Sequence, residues 1–389
     1  MAYGMRRRIY RGILLAACLL PSWHAAAQDD ARTRIALIGF AGPLSDQMVQ
    51  SAQQGALLAI EEANRRPQPG KQGPPLHFEL LSQDDKSNSN LAGYVARYFV
   101  TSRVIGVLGH WNTGPAIAAA PVYDAAGVAQ VSFTATGSQL TRKGYRNVFR
   151  VVGSTDDTAA YLAESADKIM DSKRVAIIHN DTAFSTALTA AFVRELSARA
   201  IPVVSMQAVS GKTSDFNAQL RAAVDSGADL ILLSAITGQL QPFVNTAKRM
   251  NVSTRILLTG GATNQKLDDA GQVYAIEPNL PQQRCSHQKG FEQRYLARFE
   301  RAPTTFSRYA FDAANLLIQA ARQADSERAP EVSAELRELR YAGLSGDIAF
   351  DKDGNNSHPA YTLYRSSPQG WQPLRVLSSE QGVPRCARG

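Results

Sequence analysis

Four features of this chain have residue types and spacing that could do chemistry. Gly211-Lys212-Thr213 matches the last three positions of a phosphate-cradling loop. Such a loop needs a further glycine five residues before Gly211, where Met206 stands, so the segment reads as an ordinary loop. Asp351-Lys352-Asp353-Gly354 begins like a calcium loop but lacks the later ligand spacing and the closing Glu, which leaves a tight turn between strands. Six histidines, His24, His77, His110, His179, His287 and His358, are scattered with no metal-site spacing, so no metal is expected. His179 and Asp181 lie two apart near a strand end, where an acid–base pair and a simple strand-end contact with ligand or solvent both stay open. No G-x-S-x-G nucleophile elbow occurs.

The elements that would position these residues alternate between short apolar strands and amphipathic helices. Strands are expected at 34–40, 76–81, 104–109 and 128–131, with helices at 50–64, 91–101 and 116–126 between and after them. The rhythm restarts with helices at 157–170, 185–198, 216–226 and 239–250 and strands at 174–179, 203–208, 230–233 and 255–258. Two such runs imply two α/β lobes, each a mostly parallel sheet flanked by helices. The tail reads as helices at 290–300 and 309–323, then strands at 348–350 and 361–364 flanking the turn 351–356. In open parallel sheets, ligands gather at the carboxyl ends of the strands. The loops there, 39–45, 110–115, 132–138, 179–185, 234–238 and 259–263, are rich in Thr, Ser and Gly and poor in carboxylates and bases. They suit capture of a small polar ligand without turnover. An enzyme on the same scaffold would need a converging acid, base or nucleophile.

The amino terminus has the layout of a secretory signal. Arg6, Arg7, Arg8 and Arg11 precede the apolar run Ile13–Leu20, and Ala25-Ala26-Ala27 offers a cleavage site after Ala27. Leu15-Ala16-Ala17-Cys18 offers an alternative, with lipidation at Cys18. Removing residues 1–27 takes away four Arg and no acid, so the formal charge falls from +8 to +4. That balance, without a basic stripe interleaved with aromatics, argues against nucleic acid as a partner. Cys285 and Cys386 remain, either as a disulfide of an exported chain or as two thiols.

Seven segments carry a resemblance: Ile35–Pro43, Ala59–Asn64, Val104–His110, Leu140–Tyr145, Arg174–His179, Asp215-Phe216 and Gly346–Gly354. In this order and spacing the chain resembles the periplasmic leucine/isoleucine/valine-binding protein family, receptors of ABC importers, from about Arg34 to Tyr364. The resemblance implies the type I periplasmic-binding fold, two lobes joined by a hinge that the chain crosses three times. Lobe one would comprise residues 28–150 and 275–340, lobe two 151–274 and 341–380, with a tail at 381–389. It implies a periplasmic monomer that needs no cofactor, binds a small amino-acid-like, amide or carboxylate ligand, and docks on an inner-membrane permease whose ATPase is on separate chains. A periplasmic sensor of the same fold is the alternative.

By the family pattern, Thr113 helps to hold the ligand carboxylate, and the helix starting near Gly114 adds N–H groups and a positive dipole end. The next contacts fall on Thr134, Ala135 and Thr136. The covering aromatic of lobe two matches Phe184, and a second aromatic position falls at Ile236 or Thr237. The acid that holds an ammonium falls near Gly261, in a loop without an acid; a second family acid aligns with Thr155, one residue from Asp156, which could substitute. A desolvated ammonium without a counter-charge costs several kcal/mol, which counts against an α-amino acid ligand. The positions of the family's first-lobe disulfide match Ser87 and Asn112.

Overall fold

The structure, a computed structural model, describes residues 34–377 except 72, 268–271 and 282–285. Residues 1–27, Cys18, Cys285 and Cys386 therefore lie outside the described residues, as does the expected tail 381–389.

Strands with near-continuous apolar runs form two parallel cores. The first sheet has the order β2-β1-β3-β4-β5, from Leu76–Asp84, Arg34–Gly42, Gly106–Leu108, Ala129–Ser132 and Val148–Arg150, all parallel. The second places β7 (Val203–Val209), β6 (Val175–Asn180), β8 (Leu230–Ser234), β9 (Arg255–Leu258) and β10 (Val273–Glu277) in parallel. Antiparallel β13 (Tyr361–Arg365) and β14 (Gln372–Leu377) extend its far edge. The parallel parts of both sheets thus share one doubly wound order, 2-1-3-4-5, with a switch point between the first and third strands. Every residue of β8 is buried, as expected of a strand covered on both faces.

Helices cover both faces of each sheet. On the first, α1 (Gln47–Arg65), α8 (Ser286–Phe299), α9 (Thr305–Ala324) and α10 (Ala329–Glu338) share one core, and α2 (Ser89–Thr101) and α3 (Thr113–Ala126) pack on the other. On the second, α4 (Thr155–Glu164) and α5 (Ala183–Ala198) take one face, and α6 (Asn217–Asp225) and α7 (Thr237–Arg249) the other. The packing of α1 against α9 shows how residue choice sets the approach. Asp46 caps α1 by accepting from the Met48 N–H at 2.7 Å, and Val49, Ala52, Ala56, Ala59 and Ala63 form a buried stripe at helical spacing. Gly55 lies on that stripe, where a Cβ would overlap the Ser307 carbonyl. The close approach buries a hydroxyl cluster in which Ser51 Oγ lies 2.7 Å from Ser307 Oγ and 2.9 Å from Tyr295 OH.

The chain leaves the first sheet after β5, returns after β10, and passes over again between β12 (Gly346–Ile348) and β13. Two passages fall later than the expected borders at 274/275 and 340/341. Residues 275–277 pair within the second sheet, because the run Val273–Ile276 is apolar enough to form a strand. Residues 341–348 form a hairpin of β11 (Tyr341–Gly343) with β12 that buries Leu344 and Ile348 in the first core. The expected strand 348–350 therefore starts earlier and does not pair with 361–364. The helix expected through Met170 ends at Glu164 and continues as a wider π turn, Ser165–Ile169. The turn at 351–356 closes as expected, with Asp351 Oδ1 accepting from the Asp353 and Asn355 amides at 2.9 Å. No described helix is long and apolar enough to cross a membrane.

Gly55→Ala should lower unfolding free energy by about 1–3 kcal/mol, as overpacking between α1 and α9 does. Urea unfolding of the variant measures this, and an unchanged midpoint would contradict the packing described.

Candidate functional site

Parallel winding gathers the strand ends and the following helix starts at one edge of each sheet. Four helices begin at the two switch points: α1, capped by Asp46, after β1, α3 after β3, α5 after β6 and α7 after β8. The first amides of a helix have no intrahelical acceptor. Asn112, the N-cap of α3, does not cap it; its Oδ1 accepts from Ser87 Oγ at 2.8 Å instead. Ile236, the N-cap of α7, has no side-chain oxygen to offer. Thr182 caps α5 by accepting from the Ser185 N–H at 3.2 Å, leaving the Ala183 and Phe184 amides. The two edges approach each other: a Cβ on Gly114 would lie 4.0 Å from that of Ala183. Trp111 stands edge-on to Phe306 of α9, with ring centroids 4.9 Å apart, and Phe306 lies 3.3 Å from where a Gly261 Cβ would be. Phe184 lies 4.0 Å from the corresponding point at Gly260. Helix starts of both sheets and three aromatic rings therefore lie close together where the two edges meet.

Most of the expected contact residues lie on the loops at these edges, and several of their hydroxyls are bonded to backbone. Thr113 is buried at the start of α3, and its Oγ1 accepts from the Gly137 N–H at 3.3 Å. Thr134 Oγ1 donates to the Trp111 carbonyl at 2.7 Å, fixing the aromatic wall. The Ala135 carbonyl accepts from Ser132 Oγ at 2.9 Å. Thr136 differs, because its buried Oγ1 has no protein partner. In the second lobe, Thr237 Oγ1 donates to the Gly260 carbonyl at 2.7 Å, and the Gly261 amide points away toward Glu277. Asp156 is not brought into this set. Its carboxylate bridges Arg142 at 2.7 Å and Arg194 at 3.3 Å beside a small crevice of about 90 Å³. The His179–Asp181 pair does not form either. His179 Nδ1 lies 3.1 Å from the Asn180 carbonyl, and Asp181 accepts from the Gly211 N–H at 2.9 Å, which closes the Gly211–Thr213 loop. No group of three or more metal-ligating side chains occurs among the described residues.

Three buried polar groups to which sequence alone assigns no structural role hold these loops from behind. Arg150 is fully buried at the end of β5 and donates to the Thr136 carbonyl at 2.9 Å and the Gly137 carbonyl at 2.8 Å. Burial pushes its guanidinium down to about 10, so it stays charged at neutral pH. His110 joins Asp85 at 2.7 Å and Tyr123 OH at 2.9 Å, all three fully buried, and so fixes the loop leading to Thr113. Glu277 ends β10 beneath the Gly261 loop. It accepts from the Ala262 N–H at 2.6 Å, from the Gly261 N–H at 3.0 Å and from the Thr263 N–H. Desolvation pushes its carboxyl up to about 8 in spite of these donors. The apolar run before Pro278 was the signal that would have revealed β10, and with it Glu277 at a strand end. A separate cavity of about 450 Å³, lined by Thr263, Asn279, Thr305, Arg308, Tyr364 and Trp371, lies beside the passage after β10 and the start of α9.

Arg150→Leu should destabilise the protein by about 2–5 kcal/mol, because two buried carbonyls lose their donor. Chemical denaturation measures the loss. Glu277→Gln should cost about 1–3 kcal/mol through mismatched amide donors. Between its ordinary value of 4.5 and about 8, the folded chain holds a proton at Glu277 that the unfolded chain has released. This group's stabilising contribution is full below that window and falls as pH rises through it. The stability advantage of the parent over Glu277→Gln should therefore shrink across this range, as read from paired unfolding curves at each pH.

Comparison with known proteins agrees with this architecture. The model of the periplasmic binding protein family matches residues 34–368. Leu/Ile/Val-binding protein homolog 1 of Brucella abortus (strain 2308) is 24% identical over 375 residues, covering 93% of this chain and 96% of that protein. An ABC transporter substrate-binding protein from Desulfitobacterium hafniense, in complex with Leu, superposes with a TM-score of 0.75 at 24% identity, covering 88% of this chain and 100% of that one. A solute-binding protein of an ABC transporter from Rhodopseudomonas palustris BisB5, in complex with 3,4-dihydroxy benzoic acid, gives 0.76 at 17% identity, covering 89% and 98%. At these identities the structural likeness establishes the fold alone. With two doubly wound sheets and a family match over most of its length, the chain belongs to the periplasmic binding protein family.

Proposed function

We propose that this chain is the solute-binding subunit of an ABC importer, exported by cleavage after Ala27, and that it closes two lobes around a small amino-acid-like, amide or carboxylate ligand. The lobes in this reading are residues 34–150 with 286–348, and 155–277 with 361–377. Support comes first from the site: amide donors from α3, α5 and α7 converge with the unpartnered Thr136 hydroxyl between two sheet edges. Such a site grips an acceptor-rich ligand and has no arranged base or nucleophile to transform it. The related proteins named above, an ABC transporter substrate-binding protein with Leu and another with 3,4-dihydroxy benzoic acid, support the same role. Contacts from the second lobe to a ligand on the first exist only on closure, so ligand shifts the population toward the closed form. That form docks on a permease, with the ATPase on separate chains.

A thermal-shift screen of the protein from Gln28 onward, against amino acids, amides, urea and aromatic or aliphatic carboxylates, tests the proposal. A ligand at 100 times its Kd should stabilise by about 2.7 kcal/mol. Thr136→Ala should weaken the binding of a hit at least about tenfold, as loss of a hydrogen bond to a charged group does. A panel without a hit contradicts the binding role, and unchanged affinity in Thr136→Ala contradicts the site.

A further inference from the structure

We propose that the cavity of about 450 Å³ beside the passage after β10 is a second binding site, for a small organic dianion. It is separate from the proposed capture site: no residue of the 110–115, 132–138, 179–185 or 234–238 loops is among its described lining. The lining comes from both lobes. Thr305 and Arg308 belong to α9, whereas Thr263, Lys266, Tyr364 and Trp371 belong to the second sheet and its loops. The amides at the start of α9 are already engaged, so they do not make this site. Thr304 Oγ1 accepts from the Ser307 N–H at 3.3 Å, and Asn264 Oδ1 accepts from the Thr305 N–H at 2.8 Å.

The charge of the lining selects an anion. Arg308 and Lys266 line the cavity, and no carboxylate does so among the described residues. The protein itself satisfies the Arg308 guanidinium poorly. Its Nε is buried without a partner, Nη1 lies 3.4 Å from Gln288 Oε1, and Nη2 lies 3.9 Å from Glu292 Oε1. Burial pushes the Arg308 guanidinium below its ordinary value, against the pull of Glu292. An anion in the cavity offsets that desolvation and accepts charge-assisted hydrogen bonds, which are stronger than neutral ones. Thr263 Oγ1 is also buried without a partner and adds a hydroxyl donor. Lys266, which is exposed, supplies the second cation. Glu277, which ends β10, does not compete, because its oxygens are turned to the Gly261 and Ala262 amides. The rest of the lining selects an organic body. Leu280, Pro281 and Trp371 add apolar surface, and Trp371 Nε1 already donates to the Gln265 carbonyl at 2.9 Å, so the indole offers carbon. The volume lies in the range of small-molecule sites.

Calorimetric titration of the protein from Gln28 onward tests this site. The probes are succinate, glycerol 3-phosphate, inorganic phosphate and the neutral analogue succinamide. Succinate or glycerol 3-phosphate should bind at least about tenfold more tightly than succinamide or inorganic phosphate, and the tighter of the two tells a carboxylate from a phosphate ester. Arg308→Gln should weaken that binding at least about tenfold, and Lys266→Gln about threefold. Lys266 is exposed, so its variant keeps the test open should Arg308→Gln fail to fold. Thr136→Ala should bind the anion as the parent does, because Thr136 does not line the cavity. Binding of neither organic anion, equal binding of succinamide or inorganic phosphate, or unchanged affinity in either cation variant overturns the inference. So does a loss in Thr136→Ala as large as in Lys266→Gln, which would put the anion at the strand-end loops. Each of these results leaves the solute-binding role as it stands.

Discussion

Parallel winding imposes one constraint from which the rest of this structure follows. Strands that all run one way deliver their carboxyl ends, and the amide-bearing starts of the next helices, to a single edge. Those amides must find acceptors. In α3 and α7 the N-cap side chain supplies none, since Asn112 is turned toward Ser87 and Ile236 is apolar. A ligand between the two sheets can supply the missing acceptors, which ties the architecture directly to capture.

Each lobe holds one of its strand-end loops with a buried ionisable group bonded to backbone. Arg150, charged, satisfies carbonyls of the Thr136 loop, and Glu277, protonated near neutral pH, accepts from amides of the Gly261 loop. Such groups are costly to bury and hold because their neighbours are fixed donors or acceptors. The hydroxyl-rich loops are similarly divided: Thr113, Thr134 and Thr237 build walls, while Thr136 stays unpartnered.

The passages between the lobes are hydrogen-bonded to one another and to α9. Asn356 Nδ2 donates to the Val151 carbonyl at 2.9 Å, Tyr361 OH to the Ser154 carbonyl at 3.3 Å, and Tyr309 OH to the Pro278 carbonyl. The Asp156 pairs with Arg142 and Arg194 sit beside these segments at a partly exposed position, where ion pairs contribute little to stability.

Periodicity alone placed both α/β runs and most of their strands, because fully buried parallel strands read as short apolar runs and their helices as apolar stripes. It also located the strand-end loops, whereas Thr113, Thr136 and Phe184 within them came from the resemblance to the family. It missed β10, a short run broken at once by Pro278, and therefore Glu277 at its end. Arg150 looked like an ordinary polar residue; only the fold around β5 buries it against two carbonyls. Trp111 and Phe306 are 195 positions apart, and nothing local tells that they form one wall. Local sequence carries period and turn chemistry over a few residues. Which charge is neutralised, which hydroxyl stays free and which aromatics face each other depend on contacts between distant segments, and those were decided when the two sheets wound and met.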